Sequence, residues 1–175
     1  MHINYEFKAR CADINSLETI LLQQGPRFAG RDRQLDTYFN VLHGRLKLRE
    51  GTIENALIHY DRPDYTGAKQ SNVTLYQHQP DRQLKECLVK SLGIKVTVDK
   101  QRRIYFINNV KFHFDEVEGL GSFVEVEAID QDGSIGIEKL KEQCNVYAHL
   151  FNLRPEDFMA ESYSDLLLAK NSSTR

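Results

Sequence analysis

The chain carries almost nothing that would announce a membrane segment, a disulfide scaffold or a nucleotide-binding loop. No apolar run approaches the roughly 18 residues of a membrane span, and the polar start MHINYEFKAR is not a signal peptide. Cysteine is scarce: Cys11, Cys87 and Cys144 are odd in number and far apart. They share no metal-ligand spacing, which argues against a metal-binding role and fits a reduced, cytoplasmic setting. Charge imbalance is nearly absent, with a formal net charge of −2. That argues against a protein that coats nucleic acid through bulk charge, while leaving room for a local basic pocket. There is no G-x-x-x-x-G-K-[ST] loop, and the lone Gly119-Leu120-Gly121 reads as a hairpin turn. No histidine stands in a recognisable pairing with a nucleophilic cysteine or serine, and no repeat appears.

What is there is an ordinary globular composition, 41% hydrophobic and 27% charged over 175 residues. This length suits one domain with a sizeable core, taken as residues 1–170 with a short tail at 171–175. Alternating stretches at 2–10, 34–41, 44–50, 55–62, 72–78, 94–107, 109–117 and 122–130 predict strands. Asn108-Asn109 and Gly119–Gly121 supply turns, GTIEN at 51–55 a hairpin connection, and Pro63–Ser71 a longer loop. A first helix puts Ile14, Leu17, Leu21 and Leu22 on one side, with Asp13 to cap it and Gly25 to end it. A second, DRQLKECLVKSLG, aims Leu84, Cys87, Leu88 and Leu92 at the core. A third, at about 135–151, carries Leu140, Cys144, Tyr147 and Phe151, and Pro155 opens a short one after it. Many short, mostly antiparallel strands with few helices predict a barrel or a strongly curved sheet.

The strands have a common habit. GRLKLRE, residues 44–50, puts Arg45, Lys47 and Arg49 on one face and Leu46 and Leu48 on the other. Neighbouring cations on such a face sit about 6.6 Å apart, twice the rise per residue. Each adjacent pair repels by about 0.6 kcal/mol in water but by about 2.5 kcal/mol at an effective dielectric near 20. Glu6 with Lys8, Lys100 with Arg102, His113 with Asp115, and Glu125 with Glu127 share faces in the same way, and Arg62 ends the strand IHYDR. One reading is an apolar core face backed by a solvated charged face. The other is a closed barrel whose charged faces point inward, with apolar faces under the helices. A purely cationic strand and a purely anionic one favour enclosure, since solvated faces usually mix signs. Such a cavity would hold cations for phosphate oxygens and carboxylates for a hard divalent metal.

In order along the chain stand NYEFK, LDTYF, GRLKLRE, IHYDRPD, the K-x-R-x-x-Y of Lys100, Arg102 and Tyr105, and HFDEVEGLGSFVEVE. So arranged, they resemble the CYTH family, the triphosphate tunnel metalloenzymes, over residues 3 to about 168. The closing SYSDLL, residues 162–167, is most similar to the class IV adenylyl cyclase branch. The resemblance implies an α+β fold, an eight-stranded antiparallel β-barrel forming a tunnel with flanking helices. It implies that Lys8, Arg45, Lys47, Arg49, Arg62, Lys100 and Arg102 hold a triphosphate. Arginine suits that work because its planar fork takes two phosphate oxygens, whereas lysine acts as a point charge. Glu6, Glu125 and Glu127 become ligands of Mg²⁺ or Mn²⁺, with Asp115 a ligand or a group behind the ligands. Lys8, Glu6 and Arg62 are the catalytic candidates, Lys8 as a base if its cationic neighbours depress its pKa.

The expected function is metal-dependent conversion of ATP to cyclic AMP and pyrophosphate. The alternatives are an inorganic or thiamine triphosphatase and a non-catalytic polyphosphate- or nucleotide-binding module. The expected partner is a nucleoside or inorganic triphosphate, with no nucleic acid and no membrane; a homodimer follows from the branch alone. One departure stands out. The family pattern Glu-x-Glu-x-Lys is Asn4-Tyr5-Glu6-Phe7-Lys8 here, so the first position offers a neutral carbonyl oxygen. His113 reads as a structural histidine, and Tyr163 and Asp165 as anchors of the C-terminal segment.

Overall fold

A computed structural model of the protein describes residues 2–61 and 67–173. The strands are β1 (His2–Arg10), β2 (Arg27–Phe39), β3 (Arg45–Gly51), β4 (Ala56–Asp61), β5 (Lys69–Gln77), β6 (Ile94–Ile107), β7 (Val110–Val117) and β8 (Gly121–Asp130). The helices are α1 (Ile14–Leu22), α2 (Arg82–Leu92), α3 (Ile137–Leu150) and α4 (Tyr163–Ser173), with a 3₁₀ turn at Pro155–Asp157. The strands close into a barrel in the order β1-β5-β4-β3-β2-β6-β7-β8, and β8 pairs back onto β1. Every pairing is antiparallel. Closure leaves no edge strand and settles which face is which.

The apolar faces point outward on one wall. Phe7, Phe112, Phe114, Val124 and Val126 are buried beneath α1 and α3, against Leu21, Leu140, Cys144 and Phe151. The intervening residues point into the barrel: Asn4, Glu6 and Lys8 on β1, His113 and Asp115 on β7, and Glu125 on β8 are all buried. A second apolar cluster closes one end, where Tyr163, Leu166 and Leu167 of α4 pack on Val98, Val117 and Phe123. Turn chemistry follows the sequence. Asp13 accepts from the Ser16 amide at 3.1 Å to cap α1, Asp81 accepts from the Gln83 amide at 2.7 Å to cap α2, and Asn108 takes the left-handed φ of 51° between β6 and β7.

Three expectations need correction. β2 begins at Arg27, not near 34, because its first half pairs with the long β6 through a register shift at Phe28/Gly30 that breaks the alternation. β5 begins at Lys69, so Lys69–Ser71 are strand where a loop was expected. α2 buries none of its residues, and Cys87 is exposed. Its ties are polar, Lys85 to Glu50 at 2.5 Å and Asn40 donating to the Leu92 carbonyl at 3.2 Å, while Leu84 lines the barrel cavity. Helical spacing reports an apolar stripe but not what will cover it. Among the described residues no helix is long and apolar enough to cross a membrane.

Candidate functional site

The barrel encloses a cavity of about 1420 Å³ lined by Glu6, Lys8, Lys47, Arg49, Lys100, Arg102, His113, Glu125 and Glu127, while Arg45 and Asp115 stand off its lining. On the cationic side, β3 contributes Arg49 and Lys47 and β6 contributes Lys100, and one carboxylate of β2 binds all of them. Asp36 accepts from Arg49 Nε at 2.8 Å and Nη2 at 2.9 Å, from Lys47 at 3.1 Å and from Lys100 at 2.7 Å. Burial alone would raise the Asp36 pKa, but Arg49, Lys100 and Lys47 hold it well below the carboxylate range. Lys100 moves the other way. Burial, with Arg49, Arg102 and Lys47 nearby, pushes it down to about 7 despite Asp36. Arg45, at the α4 end, pairs with Asp165 at 2.9 Å.

Arg102 forks onto Asp115 at 2.7 and 2.6 Å and reaches Glu125 at 3.0 Å. Tyr163 donates to the same Asp115 at 2.8 Å, so both oxygens of Asp115 are engaged by neighbours, which suits a group that holds Arg102 in place. Lys8 lies 3.6 Å from Glu125 and 4.0 Å from the centre of the Tyr163 ring. Arg62 lies outside the described residues.

The anionic corner is built by register. Glu6 of β1 stands directly opposite Glu127 of β8, Lys8 opposite Glu125, and His113 of β7 opposite Glu125 on the other side. Like charges facing across a strand pair repel, and here they are enclosed. Burial, then Glu125 and Glu6, raises the Glu127 pKa to about 7. Glu125 itself is held well below its ordinary value: burial opposes this, and Lys8, His113 and Arg102 outweigh it. Burial, with Arg102 and Lys111 close by, lowers His113 to about 3, so its ring is neutral near pH 7. His113, Glu125 and Glu127 offer one ligand atom each within 4.8 Å of one another. Asn4 Oδ1 and His113 Nε2 are buried with no hydrogen-bond partner. A divalent cation fits this corner, because it relieves the carboxylate repulsion and answers lone pairs that no donor meets.

Three charged residues of the site were not foreseen: Glu54 and Lys111 on the cavity lining and Asp36 behind it. Asp36 lies in the quoted LDTYF, and its inward face could have been read from the alternation with Tyr38. Lys111 shares the inward face of His113 and Asp115. Glu54 sits in the GTIEN connection, where no periodicity marks it, yet it accepts from Arg49 Nη1 at 3.1 Å and contacts Lys111. Asp32 shapes that connection, accepting from the Ile53 and Glu54 amides at 2.9 and 3.0 Å. Gly51 is required there: a Cβ would come within 2.5 Å of the Glu54 carbonyl and 2.7 Å of the Asp32 carboxylate.

The raised Glu127 pKa has a measurable consequence. A carboxyl that binds its proton more tightly in the folded chain stabilises the fold below about pH 4.5 and loses that contribution as pH rises through about 7. His113 acts oppositely over part of that range, since a ring kept neutral favours the fold increasingly as pH climbs towards 6.5. The informative quantity is therefore the difference between metal-free wild type and Glu127→Gln. Wild type is expected to lose about 3 kcal/mol relative to the variant between pH 4.5 and 8, roughly 5–10 °C in melting temperature. Parallel melting curves across that range would remove the carboxylate repulsion from this account.

Comparison with known proteins accords with this geometry. The CYTH domain model matches residues 2–163. A Methanocaldococcus jannaschii protein provisionally named an adenylate cyclase is 24% identical over 94% of this chain and 98% of its own. Among solved structures, a Pyrococcus horikoshii protein superposes with a TM-score of 0.80 at 24% identity, covering 95% of this chain and 99% of that one. A Hippeastrum protein, described as an adenylyl cyclase candidate with a dominant triphosphatase activity, superposes with a TM-score of 0.61 at 14% identity, covering 98% and 96%. With the family model spanning nearly the whole barrel, the chain belongs to the CYTH domain family.

Proposed function

We propose that this protein is a divalent-metal-dependent enzyme that binds a nucleoside triphosphate inside its barrel and converts ATP to cyclic AMP and pyrophosphate. The observation that carries this reading is the meeting, around one cavity, of the cations Lys8, Lys47, Arg49, Lys100 and Arg102 with the carboxylates Glu6, Glu125 and Glu127. Transfer at phosphorus needs charge neutralisation and alignment more than covalent help from the protein. Asp36 and Asp115 take the Nε/Nη2 forks of Arg49 and Arg102, so these guanidiniums offer a phosphate their charge and the Nη1 side, and Lys47 and Lys100 add point charge.

Glu125 and Glu127, with Glu6 facing Glu127 across the strand pair, would hold the ion, and Asp115 stands behind them orienting Arg102. Once bound, that ion supplies phosphate bridging and polarisation of the phosphorus under attack. Lys100, pushed to about 7, is better placed than an ordinary lysine to accept or return a proton, which adds it to Lys8 as a base candidate.

A nucleoside is favoured over bare triphosphate because the cavity lining is not all charge. Ile53, Leu75, Leu84, Phe106 and Ile129 line it too, apolar surface of no use to an inorganic anion. Hydrolysis of the terminal phosphate is the second reading, supported by the activity described for the Hippeastrum protein.

The test is to incubate the protein with Mg²⁺ or Mn²⁺ and, separately, ATP and inorganic triphosphate, and to resolve all products by chromatography. Cyclic AMP with pyrophosphate is expected. Orthophosphate from triphosphate without cyclic product would make the protein a tunnel triphosphatase. Binding without turnover would leave it a binding module.

A further inference from the structure

His113 has no part in triphosphate binding as described, yet it is fully enclosed in the anionic corner at 1% exposure. Its Nδ1 lies 3.2 Å from Glu125 Oε2 and 3.9 Å from Glu127 Oε1, and its Nε2 is buried without a partner. A neutral imidazole has one N–H and one lone pair. If Nε2 carries the proton, the Nδ1 lone pair faces a carboxylate oxygen and two acceptors oppose each other. If Nδ1 carries it and donates to Glu125, the Nε2 lone pair is enclosed with no donor. Either tautomer leaves a nitrogen lone pair that a cation would satisfy.

Asn4 makes the second, independent observation. Its Oδ1 is also buried and unanswered, on the same inward face of β1 as Glu6. Where the related pattern carries a carboxylate, β1 offers the cavity a neutral oxygen, so the site has one fewer charge with which to hold an ion. A nitrogen donor shifts the balance further, since imidazole suits first-row transition ions and Mg²⁺ prefers oxygen and its own water.

We infer that His113 is a nitrogen ligand of the divalent ion in this corner, and that the centre selects a later first-row transition ion such as Co²⁺ over Mg²⁺. The inference rests on the metal-dependent reading above and adds to it the class of ion and the residue that chooses it.

The test reads binding, not turnover. Mn²⁺ is added to the full-length protein with inorganic triphosphate present, and pulsed electron paramagnetic resonance looks for ¹⁴N coupling from a directly bound imidazole. Dissociation constants for Co²⁺, Mn²⁺ and Mg²⁺ come from calorimetry. Wild type should show the coupling, and His113→Asp and His113→Gln should lose it. The ratio of Mg²⁺ to Co²⁺ dissociation constants should fall by about tenfold or more in His113→Asp, which replaces nitrogen by a hard oxygen.

Mn²⁺ binding without nitrogen coupling would overturn the inference and leave the metal-dependent reading standing. Coupling that persists in both variants would put the nitrogen on another of the six histidines and overturn it as well. No binding of any of these ions would sink both readings together. Should His113→Asp not fold, His113→Gln and ¹⁵N-histidine labelling of wild type give the same decision.

Discussion

Glu127→Ala is expected to abolish metal-dependent turnover, by more than about 100-fold, while leaving the barrel as stable as wild type or more so at pH 8. Two arguments meet here. Partners that merely orient metal ligands cost roughly 10–100-fold when removed, so a residue proposed as a ligand should cost more. Its carboxylate, meanwhile, is enclosed, repelled by Glu125 and set opposite Glu6 across the strand pair, and burial first and these charges second raise its pKa to about 7. Ionised at pH 8 and without metal, it works against the fold, and deleting it relieves that repulsion. Chromatographic product analysis and a melting curve on the same preparation decide the matter. Unchanged turnover would remove Glu127 from the proposed metal centre. Lost turnover with a large fall in melting temperature would mean that Glu127 is structural.

The pattern that makes these residues legible is period two, and period two alone could not say which face was wet. Arg45, Lys47 and Arg49 alternate with leucines in the same way on a solvated sheet and inside a tunnel. The difference is closure, a property of all eight strands and their registers together, which no single strand encodes. Ordered motifs supplied what periodicity could not, and most of the residues they marked lie on the cavity wall. What escaped lacks local signal. Glu54 is placed by Asp32 through backbone amides of an irregular loop, and the start of β2 is hidden by its register shift. α2 shows the converse, an apolar stripe with strong helical spacing that the fold only half buries. Asp36 was within reach: in an inward-facing barrel, a carboxylate two residues before an inward tyrosine must itself point inward.

Asp36→Asn is expected to carry the largest stability effect, and a triphosphate should repair it. Asp36 is buried at 1% exposure and is the common partner of Arg49, Lys47 and Lys100. Removing its charge while keeping its shape leaves those cations enclosed and repelling one another. Breaking a buried ion pair in this way costs roughly 3–5 kcal/mol, about 10 °C in melting temperature for a chain this long.

The loss should depend on pH with a definite sign. Lys100, already down at about 7, sheds its proton more readily without Asp36, and a lysine with a depressed folded pKa favours the fold increasingly as pH rises above that value. The variant should therefore be hurt more at pH 6 than at pH 8. Inorganic triphosphate brings anionic oxygens to the same cations, and any ligand that binds only the folded chain raises its melting temperature. In wild type the incoming anion competes with Asp36 for Arg49 and Lys100; in the variant it has no rival. Thermal shifts measured across a triphosphate titration should be larger for Asp36→Asn than for wild type. Equal shifts would mean that the phosphate does not meet the cations Asp36 holds, and that the charged wall of β3 serves the fold instead of a ligand.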